Sequence, residues 1–132
     1  MQGNKYIRMP ERRLRLKSTN KYEVIDLSCF SSVQVALQAN GATGTLKFWT
    51  SIDSENEPDV TAATSATNTY DTTVVQTIKD EDVIEGDTGI AFATTTGCTN
   101  YRINADFVPY LVIGSSDLSA GTIDVVVSAI RE

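Results

Sequence analysis

Histidine is absent from all 132 residues. Without an imidazole the chain holds no Ser-His-Asp or Cys-His nucleophile system and no histidine-containing zinc site. Cysteine is scarce: Cys29 and Cys98 lack metal-type spacing and read as two unpaired thiols, as expected of a chain whose first twenty residues contain no apolar signal core. The same charged start gives the expectation of a leaderless protein made in the cytoplasm. Prolines number three and tryptophans one. No apolar run is long enough for a membrane-spanning helix, and no stretch shows the 3.6-residue period of an amphipathic helix.

What is present is alternation with period two. Tyr22–Leu27, Thr73–Lys79, Thr88–Thr95, Asn100–Ala105 and Thr122–Ile130 each read as a strand, as does the nearly continuous apolar run Phe107–Ile113. Ser32–Ile52 reads as two strands joined by a tight loop at Asn40–Gly44, because Asn-Gly and Gly enter positive φ at low cost. Ile123, Val125, Val127 and Ala129 are expected to point inward. Pro109 argues for an edge or a bulge. The polar segment Asp53–Thr73 is a long surface excursion with room for one helical turn after Pro58-Asp59. Seven or eight strands with regular turn signals predict an all-β antiparallel sandwich, a jelly roll before an immunoglobulin-like arrangement.

Charge is divided unevenly. Residues 1–21 hold seven of the eleven basic residues and one acid, a net +6; residues 22–132 hold four basic and sixteen acidic residues, a net −12. The chain therefore divides into a basic N-terminal arm, 1–21, and a β-sandwich domain, 22–132. Within the arm, Leu14 and Leu16 alternate with Arg13, Arg15 and Lys17, which fits an edge strand or an extended strap. Arg8, Arg12, Arg13, Leu14, Arg15, Leu16 and Lys17 are the candidate partner-binding residues. An acidic protein neighbour suits the arm better than nucleic acid, which the acidic body would repel. On that reading the arm can be deleted without loss of the fold.

Trp49, Tyr70, Tyr101 and Tyr110 are the candidates for an aromatic surface, either a sugar platform or an interface. The acidic turn Asp80–Asp87 is the strongest metal candidate, but its spacing does not match an EF-hand loop and a solvated hairpin turn accounts for it. The same holds for Asp53–Asp59. No pair of the seventeen acids carries a glycosidase signature. A non-enzymatic protein with neither metal nor cofactor is the expectation.

The string TGTLKFWTSID (residues 43–53), the GDTGI turn (86–90) and the last strand preceded by SAGTI (119–123) resemble small β-sandwich virion proteins of tailed bacteriophages: capsid decoration proteins, head-fibre bases, and collar or tail components. The resemblance implies a structural part of a virion, homo-oligomeric and held by neighbours such as the major capsid protein. It implies no ligand residues. A carbohydrate-binding or host-attachment module is the alternative.

Overall fold

Twenty consecutive residues, Ser32–Ser51, form one strand, β4, around which the molecule is arranged. The computed structural model describes residues 7–8, 10–17, 22–27, 30, 32–60, 74–78, 81–104, 108–115 and 117–131. Before β4 come β1 (Ile7–Arg8), β2 (Arg12–Leu16) and β3 (Tyr22–Asp26). After it come β5 (Val74–Thr77), β6 (Val83–Glu85), β7 (Ile90–Ile103), β8 (Tyr110–Gly114) and β9 (Ala120–Arg131). Every pairing is antiparallel, and the described residues contain no helix.

The strands make a large and a small sheet that share β4. In the large sheet, β1 and β2 lie end to end against β9, followed by β4, β7, β5 and β6. In the small sheet, β8 lies between β3 and the last five residues of β4, Lys47–Ser51. The strand passes from one sheet into the other, so its side chains reach one core from both layers. Val33, Val35 and Leu37 enter that core from the large sheet with Ile123, Val125 and Val127 of β9. Leu46 and Phe48 enter with Ile25, Leu111 and Ile113, all fully buried. The inward row expected for β9 is the observed one, since period-two alternation places one apolar set on one face.

The expected turn in Ser32–Ile52 is a bulge. Asn40-Gly41 does not reverse the chain. Between Ala39 and Ala42, β4 takes three steps while β7 takes two, from Gly97 to Thr95, and the register against β9 slips in the same place. Gly41 supplies the positive φ, +60°, that places the extra residue. The interval Thr96–Thr99, between two segments expected as separate strands, is likewise interior to β7, whose own extra residue lies opposite Ala42–Gly44, with Thr94 at φ 51°. An Asn-Gly step permits a reversal or a bulge equally. Here Val33–Ala39 has distant strands on both sides, β9 and β7, and continues straight between them.

The arm is part of the sheet. Residues 12–16 pair with β9 along their whole length, Leu14 opposite Val125 and Leu16 opposite Ile123. Leu16 is 2% exposed and belongs to the core, with Leu14 packed against it. Of the two forms considered for this segment, the edge strand is the one observed. Leucines expected to bury against a neighbour bury against their own chain, because β9 would otherwise leave an apolar row uncovered. Lys5, Tyr6, Lys21, Cys29, Asp80 and the polar stretch 61–73 lie outside the described residues.

Candidate functional site

Alternation turns Arg13, Arg15 and Lys17 away from the core as it turns Leu14 and Leu16 in, while Arg12 shares the leucines' face at the exposed start of β2. Arg12, Arg13, Arg15 and Lys17 are exposed, as is Arg8 on β1. Arg15 spans to β9, where Nε donates to Asp124 Oδ1 at 2.6 Å and Nη2 donates to Oδ2 at 3.1 Å. Arg13 Nη2 pairs with Glu11 at 3.0 Å, and Arg8 Nη1 donates to Ser128 Oγ at 3.2 Å. Part of the arm's charge is therefore met by this chain's own acids. Asp124 was legible as a partner in one respect: it is the lone acid at an outward position of an apolar strand.

The outer face of the large sheet continues from β2 as small and polar residues: Gln34, Ala36 and Gln38 of β4, then Cys98, Asn100 and Arg102 of β7. Cys98 is a free, exposed thiol whose Sγ lies 2.8 Å from Gln38 Oε1. Two shallow depressions on this face have volumes near 120 and 130 Å³, below the roughly 300 Å³ at which ligand pockets begin.

The four aromatic candidates do not form one surface. Tyr101 is a core residue, 7% exposed, and its hydroxyl is pushed above the usual range chiefly by that burial. Tyr70 lies outside the described residues. Trp49 and Tyr110 do share a face, the outer side of the small sheet, and Tyr22 of β3 joins them. Between Tyr22 and Trp49 the strand β8 carries Gly114, and the two rings meet there edge to face with centroids 5.1 Å apart. The Trp49 indole N–H donates to Asp87 Oδ1 at 2.8 Å, which ties this face to the turn after β6. A methyl group at Gly114 would come within 1.9 Å of Tyr22 Cδ1 and 2.7 Å of its Cα. Gly114→Ala is accordingly expected to cost about 1–3 kcal/mol in a denaturant melt and to alter the Trp49 fluorescence of the folded protein.

The acidic segments are turn-forming. Thr77 N–H donates to the Asp82 carbonyl, Glu81 N–H to the Thr77 carbonyl, and Asp82 N–H to Thr77 Oγ1, each at 3.0 Å, closing the β5–β6 hairpin. Asp53 accepts from the Asn56 side chain and from the backbone of Glu55 and Asn56, which together, the Asn56 side chain foremost, hold its carboxyl below the usual range. Among the described residues no group of three or more potential ligands is placed to hold a metal ion.

Asp117 ties the loop before β9 to β4, accepting from Thr45 N–H at 2.8 Å and from Ser115 Oγ at 3.1 Å. The Thr45 bond is the largest cause of its lowered pKa. Asp124 is lowered first by its bond from Arg15. Both folded-state values lie below the ordinary 3.8, so the stability they contribute is complete above that pH and is lost as pH falls through the lowered values. The melting temperature should hold above about pH 5 and fall in acid, and Asp117→Ala should both lower it at neutral pH and flatten the acid decline.

No protein-family model matches the chain, and no curated protein matches it in sequence. Among solved structures, the crystal structure of SPBc2 prophage-derived protein YomS is similar, with a TM-score of 0.61 over 93% of this chain and 96% of that one, at 8% sequence identity. That likeness extends over nearly the whole of both chains, and what the two share is an all-β antiparallel fold.

Proposed function

We propose that this chain is a non-enzymatic structural protein of a phage virion, a capsid decoration or cement protein or a head or tail accessory, that binds neighbouring virion subunits. The observation that carries the reading is the end-to-end likeness to a prophage-derived protein. The surface is consistent with it. The outer face of the large sheet is broad and polar, the two depressions described on it are shallow, and its β2 edge presents Arg12, Arg13 and Lys17 to solvent. Such an edge suits extended contact with acidic protein surface such as that of a major capsid protein, with strand hydrogen bonds supplying affinity and charges supplying selectivity.

Particles banded on a density gradient should contain this chain at a fixed ratio to the major capsid protein, measured by quantitative mass spectrometry. Its absence from banded particles overturns the reading. The glycan-binding alternative rests on Trp49, Tyr22 and Tyr110 sharing one face. It is the weaker of the two, because the Trp49 ring is half-buried, packs on Tyr22 and is tethered to Asp87.

A further inference from the structure

The large sheet ends in two strands of opposite charge. At one end is β2, with Arg12, Arg13, Arg15 and Lys17 exposed. At the other is β6, flanked and occupied by Glu81, Asp82 and Glu85, all exposed, with Val83 65% exposed among them. Among the described residues each strand is paired on one side, β2 with β9 and β6 with β5, and no strand occupies the other side of either. An uncovered edge presents backbone donors and acceptors, which pair readily with another strand; at the end of β6 the Glu85 carbonyl already accepts from Gly89 N–H at 2.9 Å and the Gly86 carbonyl from Phe48 N–H at 3.0 Å, so the open part of that edge is centred on Val83.

We propose that copies of this chain associate head to tail, β2 of one copy adding to β6 of the next so that the large sheet runs on across the contact. Polarity agrees with this. Each step from β2 through β9, β4, β7 and β5 to β6 is antiparallel. The β6 strand therefore runs opposite to β2, and a neighbouring copy in the same orientation presents its β2 antiparallel to β6. The faces agree as well. Leu14 and Ile84 are both half-buried residues on the inner face, packed against the core of their own copy. With Leu14 placed opposite Ile84 of the next copy, Arg13 falls opposite Glu85, Arg15 opposite Val83, and Lys17 beside Glu81. The apolar pair continues the inner row while the charges meet on the outer face.

Charge also selects this pairing over the others. Two β2 strands would set arginines against arginines, and two β6 strands carboxylates against carboxylates, both unfavourable between directly opposed residues. The small sheet has an acidic edge of its own at β3, with Glu23 and Asp26, but Glu23 is half-buried. A β2-to-β6 contact is heterologous, so it builds a closed ring or an open row. The inference deepens the structural-protein reading by naming one neighbour, a second copy.

Sedimentation velocity on the full chain over a range of concentration and salt tests it. The unaltered protein should self-associate, more weakly as salt rises. R13E/K17E, which sets carboxylates opposite Glu85 and Glu81, and E81K/E85K, which sets ammonium groups opposite Arg13 and Lys17, should each weaken association about tenfold or more, roughly the effect of 1.4 kcal/mol. An equimolar mixture of the two variants should associate again, since each then meets an opposite edge. All four positions are exposed, and matching melting curves establish that the variants are folded. An unaltered chain that stays monomeric, a mixture that stays monomeric, or loss of association with E23K but not E81K/E85K overturns the inference. A monomeric chain still present in banded particles defeats this contact and leaves the proposed function standing; an associating chain absent from particles does the reverse.

Discussion

Deleting residues 1–17 should leave a chain with no cooperative unfolding transition. The deletion removes β1 and β2 and strips one side of β9, whose Ile123, Val125 and Val127 are buried in the intact molecule. It also takes Leu16 out of the core, where that side chain is 2% exposed. The single substitution Leu16→Ala isolates the packing component and should cost about 2–5 kcal/mol, a large part of the 5–15 kcal/mol that typically holds a domain folded. Arg12→Ala, at an exposed position of the same strand, should change stability by no more than about 0.5 kcal/mol. A truncated chain that melts within a few degrees of the intact protein would restore the reading of residues 1–21 as a separable arm. Charge alone favoured that reading. What opposes it is the pairing of all five residues of β2 with a strand more than a hundred positions away in sequence.

The second large effect is expected at the bend of β4. Gly121, the second residue of β9, has φ +73°, and a methyl group there would meet the backbone of the β4 bulge: Gly41 C and O at 2.4 Å and Asn40 O at 2.5 Å. Backbone atoms held by strands on both sides cannot move aside as a flexible side chain can. Overpacking and the strained φ each contribute about 1–3 kcal/mol, so Gly121→Ala should be destabilised by about 2–6 kcal/mol. Gly41→Ala provides the contrast. Its φ is similar, +60°, but nothing lies within 4 Å of the added carbon, so only the left-handed conformation is penalised, about 1–2 kcal/mol. Equilibrium urea melts separate the two. Equal losses would show that backbone conformation rather than contact governs this site.

Much of the local pattern was legible. Tyr22–Asp26 and Val74–Thr77 form within segments read as strands, Tyr110–Gly114 and β9 overlap such segments and extend past their ends, and the outward placement of Trp49 follows from its parity with Phe48. Period-two patterning is a local consequence of one face meeting the core, so it survives without knowledge of any partner. The candidate contact residues were partly legible for the same reason. Leu14 and Leu16 were correctly set on the face opposite Arg13 and Arg15, while the body that receives them was misassigned. The aromatic group was the least legible. Tyr101, between Asn100 and Arg102, faces the core, whereas Trp49 beside Phe48 and Tyr110 beside Leu111 face outward. Tyr22 joins Trp49 only because Gly114 leaves a gap on the strand between them.

By itself the sequence determined the class of the molecule and the limits of its chemistry. Alternation in every apolar segment requires strands, and the absence of histidine removes imidazole catalysis. Only the tertiary structure decided where the chain reverses. Asn40-Gly41 and Thr96-Gly97 each meet the local requirement of a turn, a backbone free to leave the extended region, and both lie inside long strands. A positive φ is a property of one residue, whereas a hairpin needs its two flanks to pair with each other. In this molecule those flanks pair with strands from elsewhere in the chain, β9 and β8 among them, and the competition between local and distant partners is settled by the burial of the whole core.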